Sequence, residues 1–240
     1  MCSNNNDENN DIYEDFWDLF DTIDNIIHYT NENKINEPLK IPLALLKYKE
    51  LTTIDVIVYS ILHQYCKNIG TKININNKTM AEIGNCNIGS IKCSIKKLAD
   101  LKIIKIEKAQ SKYRVISLNV DYFNGTYEDN INENDVKIPL LKNKKGEYIQ
   151  SPYIEIPDNI YIYSNISHFD AMLYGLLYKY KNKKISTSKL GLILNRSRTT
   201  VSLSLKKLEE LKIIKTKDNY YSIIQDFFLK NNSTIVKNNN

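Results

Sequence analysis

Residues 81–108 read AEIGNCNIGSIKCSIKKLADLKIIKIEK, and residues 191–218 read GLILNRSRTTVSLSLKKLEELKIIKTKD. At a spacing of 110 the run Lys96-Lys97-Leu98 falls on Lys206-Lys207-Leu208, and Leu101-Lys102-Ile103-Ile104-Lys105 falls on Leu211-Lys212-Ile213-Ile214-Lys215. Ile75, Ile83 and Asn85 meet Ile185, Ile193 and Asn195 at the same spacing. Upstream the spacing becomes 115, with Ile41-Pro42 on Ile156-Pro157, Tyr48 on Tyr163, Asp55 on Asp170, Tyr59 on Tyr174, Leu62 on Leu177 and Tyr65 on Tyr180. Downstream a spacing of 107 sets Tyr113 on Tyr220. The order of matches is kept and the shifts fall where loops are expected, so the chain carries a tandem repeat.

Within each copy the apolar spacing changes period in a fixed order. Ile54, Ile57, Val58, Ile61, Leu62 and Tyr65 recur at helical intervals over Thr53–Asn68, as do Phe169, Met172, Leu173, Leu176, Leu177 and Tyr180 after Ser167. Thr52 and Ser167 are suitable N-caps. Ile75 and Ile185 read as single strand residues, followed by caps Asn76 and Ser186 and short helices over Asn77–Gly84 and Thr187–Leu194. After a turn, third helices are predicted over Ile88–Leu101 and Arg198–Leu211, capped by Asn87 and Ser197. Their inner seams are Ile88, Ile91, Ile95 and Leu98, and Val201, Leu205 and Leu208 with Arg198 in first place. A tight helix-turn-helix needs a small residue at the crossing, a residue tolerant of left-handed backbone in the turn, and a β-branched residue six further on. Ala81, Asn85 and Ile91 meet that need, and so do Gly191, Asn195 and Val201. Alternating segments follow, Ile103–Ile106 with Tyr113–Ile116, and Ile213–Thr216 with Tyr220–Ile223, and read as β-hairpins. Helix, helix, turn, helix, hairpin is the winged-helix order. The expected fold class is therefore mainly α with small β-hairpin wings (α+β), in the form of tandem winged helix-turn-helix domains.

The phrases KKLADLKIIKIEK and KKLEELKIIKTKD resemble the helix-into-wing junction of the bacterial, phage and plasmid winged helix-turn-helix superfamily, with Lys102 and Lys212 standing where the family phrase has glycine. The resemblance covers most of residues 41–226 and implies DNA binding through the third helix. It is shared by transcription regulators and by replication initiators.

With the seams turned inward, the first copy offers Ser90, Lys92, Lys96 and Lys97 to a major groove, beside Gly89 and Cys93. The second offers Arg196, Ser197, Arg198, Thr199, Thr200, Ser202, Lys206 and Lys207. Arginine pairs bidentately with guanine, and Ser and Thr are permissive readers, so the second copy is expected to be the more base-specific. Lys96, Lys97, Lys206 and Lys207 lie later on their helices and are expected to meet phosphates. Lys108, Lys112 and Arg114 on the first wing, and Lys215 and Lys217 on the second, are expected to reach backbone or minor groove. Each of these cations is equally what a solvated helix face carries; their concentration on both third helices favours contact.

Charge agrees with that expectation. Ten acids and two lysines give residues 1–40 a charge of −8, which leaves +13 on the rest of a chain whose net charge is +5. A basic body suggests a polyanionic partner. No apolar run reaches the roughly 18 residues of a membrane span, and the start resembles no signal peptide. The cysteines Cys2, Cys66, Cys86 and Cys93 show no CxxC spacing and are expected to be reduced thiols in the cytoplasm, with the protein at the nucleoid. His28, His63 and His168 have no partners at metal-ligand spacing, and seven glycines leave little for phosphate-binding loops. No catalytic residue, metal or cofactor is expected.

Tyr13, Phe16, Phe20, Ile23 and Ile27 are spaced 3, 4, 3, 4, widened by Ile12, Trp17, Leu19 and Ile26. Such an amphipathic helix must dock on its own body, on a second copy or on another protein; a homodimer through residues 12–27 is one of these outcomes. The expected organisation is an acidic segment 1–40, a first domain 41–118, a linker 119–151, a second domain 152–228 and a disordered tail 229–240. The expected function is sequence-specific binding of double-stranded DNA in transcription control. A plasmid or phage replication initiator is the alternative, and a protein-interaction scaffold a third.

Overall fold

The computed structural model describes residues 37–66, 72–108, 114–181 and 183–229. They form a mixed α+β structure in two helix-rich units, residues 48–151, and residues 37–47 together with 152 onward. Among the described residues there are six α-helices and four two-stranded antiparallel sheets. None of these helices is long and apolar enough to cross a membrane.

In the first unit, α1 (Thr53–Cys66) opens on a reciprocal cap. The Asp55 N–H donates to the Thr52 hydroxyl (3.2 Å), and the Thr52 N–H donates to the Asp55 carboxylate (2.7 Å). Asn76 caps α2 (Asn77–Gly84) and Asn87 caps α3 (Ile88–Asp100), each accepting the N–H three residues on at 2.7 Å. Val56, Ile57, Ile61, Met80, Ile91, Ile95 and Leu98 fill the space between the three helices. The α3 end is closed by two bonds, Lys102 N–H to Ala99 O (2.9 Å) and Ile103 N–H to Leu98 O (3.0 Å), with Lys102 in the left-handed region at φ 59°. This double closure brings the buried Ile103 back over the buried Leu98. Lys212 repeats it at φ 55°. Lysine thus adopts the backbone state that glycine takes more easily. β2 (Ile104–Lys108) and β3 (Arg114–Leu118) then pair, Ile104 opposite Leu118. Ile73, rather than the expected Ile75, bridges β3 at Ile116, while Ile75 packs inward. The two share a face of the extended chain, but only Ile73 lies clear of the Asn76 cap.

The second unit repeats this order with α4 (His168–Lys179), α5 (Thr187–Leu194), α6 (Arg198–Glu210), β7 (Ile214–Lys217) and β8 (Tyr220–Ile223). Ser167 and Asp170 make the capping box, Ser186 and Ser197 cap the next two helices, and Asp218 and Asn219 turn the hairpin at φ 50° and 63°. Positive φ at both central residues is the two-residue hairpin turn whose twist suits the strands.

Residues 41–47, expected to open the first domain, belong with the second unit. β1 (Leu39–Pro42) pairs with β6 (Tyr153–Ile156), Ile41 opposite Ile154, so two repeat-equivalent segments lie side by side. Gly175 explains the choice of helix. A Cβ there would sit 2.1 Å from the Glu155 carbonyl oxygen, so β6 can approach α4 only over a glycine. The equivalent residue on α1 is Ser60, whose hydroxyl donates to Val56 O instead (2.8 Å).

Residues 119–151, expected to be a linker, contribute Val120, Tyr122, Val136, Ile138 and Leu140 to the first core and carry β4 (Val120–Asp121) and β5 (Thr126–Tyr127). The repeat itself runs on into this stretch. Tyr59 donates to Val120 O (3.0 Å) and accepts the Tyr122 N–H (2.9 Å); Tyr174 donates to Gln225 O (2.8 Å) and accepts the Phe227 N–H (3.2 Å). Phe123 stacks on Tyr59 at 6.4 Å and Phe228 on Tyr174 at 6.0 Å. The segment after each hairpin is thereby tied back to the first helix of its own unit, and a third repeat block, Asp121-Tyr122-Phe123 against Asp226-Phe227-Phe228, is present in the sequence.

Asp121 also accepts from His63 Nε2 at 3.1 Å. Burial opposes its charge, but His63 and the Asn124 N–H and amide outweigh that and hold its pKa at about 2, against an ordinary 3.8. A carboxyl with a lowered folded pKa contributes stability that is present above about pH 4 and lost as pH falls toward 2. About 2 kcal/mol is at stake for a shift of this size. Chemical denaturation of the wild type and Asp121→Asn should therefore give stabilities that differ at pH 6 and converge near pH 2. A difference that stays constant over that range would contradict the assignment.

Candidate nucleic-acid interface

The turn between the second and third helices sets the face that follows it. Asn85 and Asn195 are left-handed at φ 48° and 51°, and the next residues' N–H groups close back on Ala81 O (3.0 Å) and Gly191 O (2.9 Å). A Cβ on Gly191 would meet Arg196 O at 2.6 Å, so the second crossing is tight enough to require glycine. The Asn195 amide also donates to Leu46 O (2.8 Å), which fastens residues 37–47 to this turn.

Beyond the turn, α6 buries Val201, Ser204, Leu205 and Leu208, and turns Arg198, Thr199, Thr200, Ser202 and Lys206 to solvent, with Arg196 and Ser197 exposed at its entrance. Arg196 donates to Asn195 O (3.0 Å), and the Ser197 and Thr200 hydroxyls lie 2.9 Å apart. Lys215 and Lys217 are exposed on β7. On α3, Lys96 is exposed, while Ser90 and Lys92 are half-buried. The Lys108 and Arg114 side chains, and Lys112, lie outside the described residues, as do residues 12–27.

Two expected phosphate contacts are engaged elsewhere. Lys97 Nζ lies 2.9 Å from the buried Asp55 carboxylate and Lys207 Nζ 2.8 Å from that of Asp170. Ser94 and Ser204, one helical turn earlier on the same flank, donate to the other oxygen at 2.6 and 2.5 Å. Each Asp thus caps its own helix, grips the third helix at two points and balances one lysine. Burial pushes the Asp170 carboxyl up, but Lys207, Ser204 and Ser167 together hold it below the ordinary carboxylate range. The repeat at Asp55 and Asp170 is visible in the sequence; the partners Ser94 and Ser204 are not, because serine on a helix has no directional signature.

Ile88, counted in the inner seam, is 38% exposed at the start of α3, where its equivalent is Arg198. Leu203 is 65% exposed on α6, and Leu192 is 81% exposed on α5.

Neither histidine of the described residues is near a metal-like cluster: His63 meets Asp121 and His168 packs edge-on to Tyr161. Among those residues no group of three or more His, Cys, Asp and Glu side chains is arranged to hold a metal ion. Burial raises the Cys66 thiol to about 12, which keeps it protonated, and Cys93 is exposed on α3. No protein-family model matches this chain, and no curated protein matches it.

Proposed function

We propose that each unit is a winged helix-turn-helix domain and that the chain is a non-catalytic, sequence-specific binder of double-stranded DNA acting in transcription control. The observation that carries this reading is the outer face of α6: Arg196 and Arg198 at its entrance, hydroxyls along its first turns, Lys206 further on, and Lys215 and Lys217 on the adjoining hairpin. A helix that enters the major groove by its N-terminal end presents bases with its first turns and phosphates with its later ones. The order of residue types on α6 follows that demand. On α3 the equivalent first turn offers Ser90 and Lys92, which form fewer bidentate contacts, so the first unit anchors and the second discriminates. The apolar stripe of residues 12–27 remains a proposed homodimer contact.

The test is a paired titration on a duplex selected from a random pool and on its scrambled counterpart. Arg196→Ala and Arg198→Ala should each weaken the selected duplex about 10-fold and the scrambled one less, since a good bidentate pair contributes about 1–3 kcal/mol of discrimination. Lys96→Ala should weaken both alike. Equal losses on the two duplexes for both Arg variants would reverse the assignment of roles. Selected sites upstream of genes support regulation, whereas iterated sites at an origin support replication initiation.

A further inference from the structure

We propose that Leu203 reads thymine, its side chain resting on the 5-methyl group of one thymine in the major groove, a role that rests on the DNA-binding reading above. Leu203 is 65% exposed, while Leu205 and Leu208 of the same helix are 7% and 0% exposed. At roughly 100° per residue it lies about 200° around α6 from the fully buried Val201, so it is not a core residue at the margin. It stands on the outer face, one turn after Thr199, one turn before Lys206 and next to Ser202.

That face is otherwise polar or cationic. Residues 198–208 contain no Asp or Glu, so nothing on this stretch repels a phosphate backbone. Glu209 accepts the Thr216 N–H at 3.0 Å, and Glu210 faces Lys206 at 3.6 Å. A large apolar group at the centre of such a face is complemented by a partner with an apolar feature set among hydrogen-bonding ones. A docking surface for another protein would extend the apolar area, but the neighbours of Leu203 at helical spacing are the hydroxyls of Thr199 and Thr200 and the lysines Lys206 and Lys207. The major groove has one apolar feature, the thymine methyl, flanked by base acceptors and donors. The equivalent residue of the first unit is the smaller Cys93, which also fits the division of labour between units.

The experiment uses the full chain and a duplex selected from a random pool, with each thymine replaced singly by deoxyuridine. That change removes the methyl group and nothing else. In the wild type one position should lose about 3- to 5-fold, the worth of one buried methyl-sized group. Leu203→Ala should bind the thymine duplex about 10-fold more weakly and respond to deoxyuridine at that position by less than about 2-fold, whereas Leu203→Met should keep the response. A deoxyuridine response that is absent in the wild type, or the same in wild type and Leu203→Ala, overturns the role of Leu203 and leaves DNA binding intact. A Leu203→Ala chain with unchanged DNA affinity but a lower mass by light scattering makes this face a contact between copies, and also overturns it. Recovery of no duplex from the pool removes the DNA-binding reading itself, and the thymine contact with it.

Discussion

Affinity for duplex DNA is expected to fall about 10³-fold between about 50 and 200 mM salt. Lys96, Lys206, Lys215 and Lys217 are exposed among the described residues, and together with Lys108, Lys112 and Arg114, which the sequence places on the first wing, they offer six or more candidate phosphate contacts beside the base contacts of Arg196 and Arg198. Each phosphate neutralised contributes a slope of about −0.9 in log affinity against log salt, so six contacts give about −5. The charge of +13 outside residues 1–40 supplies the long-range attraction. The internal pairing of two lysines sharpens the expectation. Lys206→Met should make the slope shallower by about one. Lys207→Met should leave it unchanged, because Lys207 is held against Asp170. Titration at several salt concentrations measures all three slopes. A flat response in the wild type would remove the electrostatic case for a nucleic-acid partner, and equal slope changes in the two variants would show that Lys207 leaves Asp170 to meet DNA.

What could be read from the chain alone was local. A cap is a bond from a side chain to an N–H three residues on, so Asn76, Asn87, Ser186 and Ser197 announce their helices within a few letters. The left-handed turns at Asn85 and Asn195 are likewise a matter of one residue's own backbone tolerance. What stayed hidden depends on distant backbone. The pairing of β1 with β6 runs through N–H and C=O groups that every residue has, and the only side-chain trace is a missing one, at Gly175. The return strands bind Tyr59 and Tyr174 by main-chain atoms in the same way. The ion pairs of Lys97 and Lys207 are hidden for a different reason. A lysine one turn past a helix seam looks the same whether its ammonium reaches outward to a phosphate or inward to a carboxylate on another helix, and the carboxylate is 42 residues away for one and 37 for the other.

Asp170→Ala is expected to destabilise the second unit by about 3 kcal/mol, at the lower end of the cost of breaking a buried ion pair. The carboxylate accepts the Ser167 N–H (2.9 Å), the Ser167 hydroxyl (2.7 Å), the Ser204 hydroxyl (2.5 Å) and the Lys207 ammonium (2.8 Å). Removing it takes the reciprocal half of the capping box from α4, the Ser167 side chain keeping the other half, and both polar anchors from α6. The lower end applies because Lys207 is half-buried and can turn to water, so no ammonium is stranded in the core. Ser204→Ala should cost less, about 1 kcal/mol, since one hydrogen bond is lost and the ion pair stays. Asp170→Asn should fall between the two, because the amide still caps but no longer balances Lys207. Urea denaturation of the four proteins ranks them, and the order wild type, Ser204→Ala, Asp170→Asn, Asp170→Ala is the expected one. Asp170→Ala as stable as Ser204→Ala would mean that the ion pair contributes nothing. The same variants connect stability to recognition. Ser204, about 200° around the helix from Ser202, and Lys207 are the polar points at which α4 holds α6. At salt and temperature where Asp170→Ala remains folded, its selected and scrambled duplexes should therefore bind with more nearly equal affinity than in the wild type. Base contacts depend on the angle at which α6 is held, whereas phosphate contacts through flexible lysines tolerate a change in it.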